Sequence, residues 1–98
     1  MTVQKDAAGS EKKFLRQFAD FQDQRVLEVG CGEGRLTRHY AHASSLTIGL
    51  DSDPDALRVA LIESPHESKH KSAFINAQAE HLPFSKNKFD IAILAWSL

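Results

Sequence analysis

Short apolar runs alternate along the chain with polar stretches that carry helical spacing. Arg25-Val26-Leu27-Glu28-Val29 is a brief apolar run broken by Gly30, which predicts a buried strand. Gly30-Cys31-Gly32-Glu33-Gly34 predicts a tight turn, because glycine takes up backbone angles that other residues avoid. Helical spacing returns from Arg35 to Ala43, with Leu36 and Tyr40 on one face. Leu46-Thr47-Ile48-Gly49-Leu50 predicts a second strand that ends in Asp51. Asp53-Pro54 then predicts a helix start, with Asp53 as the cap and Pro54 at the first helical position. Leu57, Ala60 and Leu61 form the buried stripe of that helix, and Pro65 ends it. His66 to Lys71 predicts a polar loop. Ala73-Phe74-Ile75-Asn76-Ala77 predicts a third, short strand. Leu82-Pro83-Phe84 and the residues up to Lys88 predict an irregular connection. Phe89-Asp90-Ile91-Ala92-Ile93-Leu94-Ala95 is nearly continuously apolar, the pattern of a strand covered on both faces.

Upstream, Ser10 predicts the cap of a helix that carries Phe14, Leu15, Phe18 and Phe21 on one face. Residues 1–9 are polar and weakly patterned, which predicts a flexible N-terminus, with residues 10–98 forming one partial domain. Strands alternating with helices predict right-handed βαβ units, an α/β fold on a parallel sheet.

Bulk properties narrow the function. A chain of 98 residues holds one domain at most. Its formal charge of −1 lacks the basic footprint of a nucleic-acid binder. No apolar run reaches the roughly 20 residues that span a bilayer. The first residues lack the basic-then-apolar order of a secretory signal, so a cytoplasmic protein is expected. Cys31 is the single cysteine, which leaves no internal disulfide and no thiolate cluster for zinc. His66 and His70 share a polar loop with no obvious carboxylate partner and read as solvated, so no metal site is expected.

The glycine turn carries the chemistry. Open parallel sheets bind ligands at the carboxyl ends of their strands, where glycine lets a ligand touch the backbone. Asp51 ends the second strand about 20 residues further on, where an acidic residue meets a ribose in nucleotide-binding folds. A carboxylate accepts hydrogen bonds from both hydroxyls of a ribose diol. The two features together predict a ribose-containing ligand. The dinucleotide fingerprint G-x-G-x-x-G fails here, since Arg35 stands at its third glycine. Glu28 and Glu33 also sit badly beside phosphates. An acidic site suits S-adenosylmethionine, whose sulfonium and ammonium are cationic.

Glu28-Val29-Gly30-Cys31-Gly32-Glu33-Gly34 resembles the first motif of class I S-adenosylmethionine-dependent methyltransferases, and Gly49-Leu50-Asp51-Ser52-Asp53 resembles their acidic second-strand motif. Ala77-Gln78-Ala79-Glu80-His81-Leu82-Pro83-Phe84 resembles the adenine-contacting segment. Phe89 through Leu98 resembles the fourth strand and its exit. Four motifs in order, at compatible spacing, most resemble the small-molecule enzymes of ubiquinone and menaquinone biosynthesis, over Arg25 to Leu98.

The resemblance implies a Rossmann-like parallel sheet of about four strands in the order 3-2-1-4, with flanking helices: a truncated class I methyltransferase fold. It implies S-adenosylmethionine as cofactor and a small-molecule acceptor. Gly30 and Gly32 would approach the methionine and ribose parts, with Gly34 completing the motif. Glu28 would support the ammonium end. Asp51 would take the ribose hydroxyls, with Ser52 beside the adenine. Ala79 would offer its N–H to the ring, and Gln78 stands where the family often has an aspartate. Ala95 and Trp96 would sit where the fourth strand opens toward the transferable methyl.

No residue is assigned as a general base. In the family the fourth strand is interior, so its outer edge here invites self-association. Weak cofactor binding with poor turnover is expected of the fragment. A non-catalytic cofactor-binding module is the alternative, and an NAD-dependent oxidoreductase a weaker one.

Overall fold

The computed structural model describes residues 2–4, 21–81 and 86–95. Its elements are β1 (Thr2–Gln4), β2 (Arg25–Val29), α1 (Thr37–Tyr40), β3 (Leu46–Asp51), α2 (Pro54–Glu63), β4 (Ser72–Asn76) and β5 (Ile91–Leu94). The strands form one sheet in the order β1-β5-β2-β3-β4, and every pair is parallel. The four strands read from the sequence are β2 to β5, and they lie in the expected 3-2-1-4 order. Each crossover within them brings the next strand's carboxyl end to the same edge of the sheet.

Both faces of this sheet are covered, as the continuous apolar runs require. On one face Phe21, Val26, Leu36, Tyr40, Ile93 and Ala95 form a buried cluster. On the other, Leu27, Val29, Ile48, Leu50 and Phe89 do so. Alternation along β2 sends Val26 to the first cluster and Leu27 to the second. Val26, Leu50 and Ile93 are completely buried, each contributing about 1.5–3 kcal/mol of transfer free energy.

Helix α2 begins as its sequence demands. The Asp53 side chain accepts from the backbone N–H groups of Asp55 and Ala56, and Pro54 follows at the first position. Leu57 and Ala60 are buried, but Leu61 stands 57% exposed and falls outside the expected stripe. Helix α1 is shorter than the expected span from Arg35 to Ala43. Tight three-residue bonds close it on either side, from His39 N–H to Leu36 O and from Ala43 N–H to Tyr40 O. The Ser44 hydroxyl then donates to Ala41 O. These contacts turn the chain back toward β3 after one helical turn. The loop at His66–Lys71 winds into 3₁₀ turns.

The N-terminus departs from expectation. Thr2–Gln4, read as part of a flexible segment, forms strand β1 along the outer edge of β5, pairing Thr2 with Ile91, Val3 with Ala92 and Gln4 with Ile93. The unpaired groups of that edge supply the reason: a strand edge is a template for any extended segment within reach. The self-association expectation assumed a free fourth-strand edge. Over these three positions it is occupied by the chain itself. The expected helix carrying Phe14, Leu15 and Phe18 lies outside the described residues, as do residues 82–85 and Trp96, Ser97 and Leu98.

Far from the carboxyl ends, Arg25 and Asp90 lock the starts of β2 and β5 together. Arg25 donates to the Asp90 carboxylate through its backbone N–H, Nε and Nη2, at 2.9, 3.2 and 3.0 Å. Asp90 N–H returns a bond to Arg25 O at 2.8 Å. The Arg25 guanidinium, as hydrogen-bond donor first, lowers the Asp90 carboxyl to about 2. A lowered carboxyl stabilises the fold above its ordinary value of 3.8, and that contribution disappears as pH falls toward 2. Both side chains are solvent-accessible, so water screens most of it.

Candidate functional site

Three segments converge at the carboxyl edge of the sheet: the turn after β2, the end of β3, and the chain leaving β4. The turn starts where Gly30 and Cys31 both donate their N–H groups to Leu50 O, at 2.8 and 3.0 Å. That pairing forces the chain sharply out of the sheet. Gly30, Gly32 and Gly34 have φ of 80, 57 and 81°, in the left-handed region where a side chain costs about 1 kcal/mol per residue. Two of them face different surroundings. A Cβ on Gly32 would meet nothing within 4 Å, so the backbone is open to a ligand there. A Cβ on Gly34 would lie 3.1 Å from Ala60 Cβ, so Gly34 lets the turn press against α2.

Asp51 is the hub of the edge. Its Oδ2 accepts from Gly32 N–H at 2.8 Å and its Oδ1 from Asp53 N–H at 2.9 Å. Its backbone oxygen accepts from Ala77 N–H at 3.1 Å and from the Asn76 side-chain amide at 3.0 Å. The carboxylate therefore ties the glycine turn to the approach of α2, while the backbone holds the segment after β4. Each carboxylate oxygen keeps a further lone pair, since a carboxylate offers about four acceptor sites.

These segments enclose a cavity of about 520 Å³, within the usual range for small-molecule sites. Gly30, Asp51, Ser52, Gln78 and Ala79, all read as cofactor residues from the sequence, line it. Gly32 serves the cavity through its bond to Asp51, and Gly34 serves it through packing on α2. Ala95 is buried at the end of β5, in the cluster with Tyr40 and Ile93, and is not among the lining residues. Sequence reasoning left out Val29, Leu50, Ala77 and Glu80, which also line the cavity. Glu80 stood within the adenine-segment motif. Val29 and Leu50 were read as strand residues, each the last apolar position of its run.

Gly49 was missed as well. In the middle of β3 it leaves room for two side chains, since a Cβ there would meet Phe74 Cδ1 at 2.8 Å and Cys31 Sγ at 2.9 Å. Cys31 is buried against it, and burial first, then the charges of Glu28 and Asp51, pushes its thiol well above the ordinary value. A thiol held protonated in this way is a packing residue rather than a nucleophile.

Glu28 stands apart from the other cofactor residues read from the sequence. It is completely buried and does not line the cavity. Its Oε1 accepts from the Thr37 hydroxyl at 2.8 Å and from the Tyr40 hydroxyl at 2.7 Å. Strand alternation is the reason: residue 28 shares a face with Val26 and points toward α1, whereas Val29 points to the cavity side. Tyr40 also stacks on Phe21, with ring centroids 4.6 Å apart. Burial first, then the negative charge of Glu28 and its hydrogen bond, raises the Tyr40 phenol well above its ordinary value of 10.

That shift has a sign. Above about pH 10 the unfolded chain loses the phenolic proton and the folded chain keeps it, so stability falls as pH rises. Tyr40 is the chain's one tyrosine, so tyrosinate absorbance reports it alone. An alkaline titration will show no tyrosinate while the circular dichroism remains native. The two signals will then change together. Tyrosinate appearing near pH 10 in a folded chain contradicts the buried hydrogen bond.

With this geometry in place, comparison with known proteins decides the family. Residues 26–98 match the family described as methyltransferase domain. The chain belongs to that family. It is 33% identical over 87 residues to an uncharacterized methyltransferase, sll0829, of Synechocystis, covering 85% of this chain and 39% of that protein. It is 31% identical over 80 residues to a ubiquinone biosynthesis O-methyltransferase of Hydrogenovibrio crunogenus, covering 81% of this chain and 33% of that protein. The crystal structure of YcgJ from Bacillus subtilis superposes with a TM-score of 0.75 at 25% identity, over 88% of this chain and 37% of that one. The chain thus spans about a third of the length of the curated relatives it matches. The family match over residues 26–98 takes in the glycine turn, Asp51 and the segment after β4.

Proposed function

We propose that this chain is the cofactor-binding part of an S-adenosylmethionine-dependent methyltransferase acting on a small-molecule acceptor. The observation that carries the reading is the cavity, lined by the Gly30 backbone on one side and on the other by Asp51, whose carboxylate is fixed by the Gly32 N–H. Its residues fit the cofactor. Asp51 takes the ribose hydroxyls on its remaining lone pairs. The Gly30 backbone faces the methionine part. Ser52, Gln78 and Ala79 hold the adenine, with the Gln78 carbonyl accepting from the ring amino group and Ala79 N–H donating to the ring. Bound S-adenosylmethionine supplies an electrophilic methyl carbon on a positively charged sulfur. The chain's own residues fix its orientation, which is most of what an in-line transfer needs from the cofactor side.

Arg35 in place of the third fingerprint glycine, and the acidic Glu80 in the lining, oppose the pyrophosphate of NAD. The small-molecule acceptor is supported by the relative named for ubiquinone biosynthesis O-methyl transfer. With no acceptor-side base assigned, the chain by itself binds cofactor and turns over poorly. Its place of action is the cytoplasm. Among the described residues no helix is long and apolar enough to cross a membrane.

Equilibrium dialysis with labelled S-adenosylmethionine tests the reading. Saturable binding displaced by S-adenosylhomocysteine and untouched by NAD is expected. Displacement by NAD at equal concentration, or no binding at all, refutes it.

A further inference from the structure

We infer that Glu28 is a positioning residue that shapes the glycine turn through Thr37 and Tyr40, without touching the ligand. The inference rests on the cofactor reading above only for its binding arm. Three observations carry it. First, Glu28 is completely buried and is not among the residues lining the cavity, although its neighbours Val29 and Gly30 are. Second, its Oε1 is gripped by hydroxyls from α1, so the chain before the turn is bonded to the chain after it. Third, α1 has four residues, far fewer than a helix needs to persist alone, so its position comes from tertiary contacts.

The turn itself has few internal restraints. Gly34 N–H bonds Cys31 O and Arg38 N–H bonds Gly34 O, both at 3.0 Å. The Asp51 bond to Gly32 N–H holds the turn from the β3 side. Glu28 holds it from the opposite face of the sheet, by fixing where α1 begins. The two carboxylates have different tasks: Asp51 faces the cavity, and Glu28 sets the path of the backbone that the ligand meets.

The test compares Glu28→Gln with Tyr40→Phe, neither of which opens a large cavity. Gln keeps a carbonyl oxygen for both hydroxyls and removes the charge. Phe keeps the stack on Phe21 and removes one clamp bond. Two readouts are taken: affinity for S-adenosylhomocysteine, and amide hydrogen exchange of Gly32 and Gly34 against Val26 and Ile93 in the ligand-free chain. Glu28→Gln is expected to keep its affinity within about threefold. Tyr40→Phe, remote from the ligand, is expected to weaken binding about tenfold and to speed exchange of the turn amides more than the sheet amides, the scale of one hydrogen bond to a carboxylate. The inference is overturned if Glu28→Gln loses tenfold or more while Tyr40→Phe binds normally. It is equally overturned if Tyr40→Phe speeds turn and sheet amides alike, or neither. A wild-type chain that binds no S-adenosylhomocysteine refutes the cofactor reading, and the exchange arm still decides the clamp.

Discussion

Asp51→Asn will lose at least about 100-fold in affinity for S-adenosylhomocysteine, close to the loss from Asp51→Ala, because two backbone donors demand two acceptors. Gly32 N–H and Asp53 N–H each point at one carboxylate oxygen. An asparagine amide placed there turns its NH₂ toward one of them in either orientation, so a donor faces a donor. On the proposed reading the substitution removes a ribose acceptor, and it releases either the glycine turn or the approach to α2. The fold pays as well, by about 1–3 kcal/mol for the hydrogen bond broken at a partly buried site. Ser52→Ala, on the same wall, is the control: Ser52 is exposed, and its loss leaves the urea midpoint unchanged. Calorimetric titration and urea unfolding of the three variants check this. An Asp51→Asn chain that binds like wild type contradicts the hydrogen-bond assignment.

Gly49→Ala will destabilise the fold by about 1–3 kcal/mol although it adds one methyl group, the cost of forcing atoms into a filled core. The new Cβ would stand 2.8 Å from Phe74 Cδ1 and 2.9 Å from Cys31 Sγ, distances that neither neighbour tolerates. Phe74 lies on β4 and is half-buried, so it yields in part. Cys31 lies inside the glycine turn, and its displacement carries the stress from the core to the cavity. The site and the core are thus coupled through one sulfur atom. Combining Gly49→Ala with Cys31→Ala relieves one of the two contacts. The double variant will be more stable than the sum of the single changes predicts, by about 0.5 kcal/mol or more. Strict additivity in urea unfolding means that the contact is not made.

The parallel sheet was legible because each apolar run stops at a residue with its own chemistry. Gly30 closes β2, Asp51 closes β3, and Asp53-Pro54 starts α2 as the capping rules require. The cavity was legible at its turn and strand-end residues for the same reason. What stayed hidden depends on three-dimensional neighbours. Thr2–Gln4 has no periodicity to read in three residues, and it is a strand only because the edge of β5 is there. Arg25 and Asp90 are 65 residues apart, so nothing local announces their pairing. Gly49 does carry a signal, since a glycine inside a strand marks a close approach, but the sequence does not say of what.

Glu28 is the instructive case. An acidic residue two positions before Gly30 looks the same whether it faces the ligand or the opposite side of the sheet. Strand alternation separates the two: residue 28 shares its face with Val26, and Val29 takes the other. The motif pointed toward the cofactor, while the period of two pointed away from it.

The central claim is that the glycine turn, Asp51 and the segment after β4 form one adenosine-recognising cavity. Titrating the isotope-labelled chain with S-adenosylhomocysteine and, separately, with NAD, while following backbone amide shifts, tests it directly. Saturable shifts at Gly30, Gly32, Asp51, Ser52, Gln78 and Ala79 with S-adenosylhomocysteine, and none with NAD, are the predicted result. A folded spectrum in which those amides stay still, or move only with NAD, contradicts it.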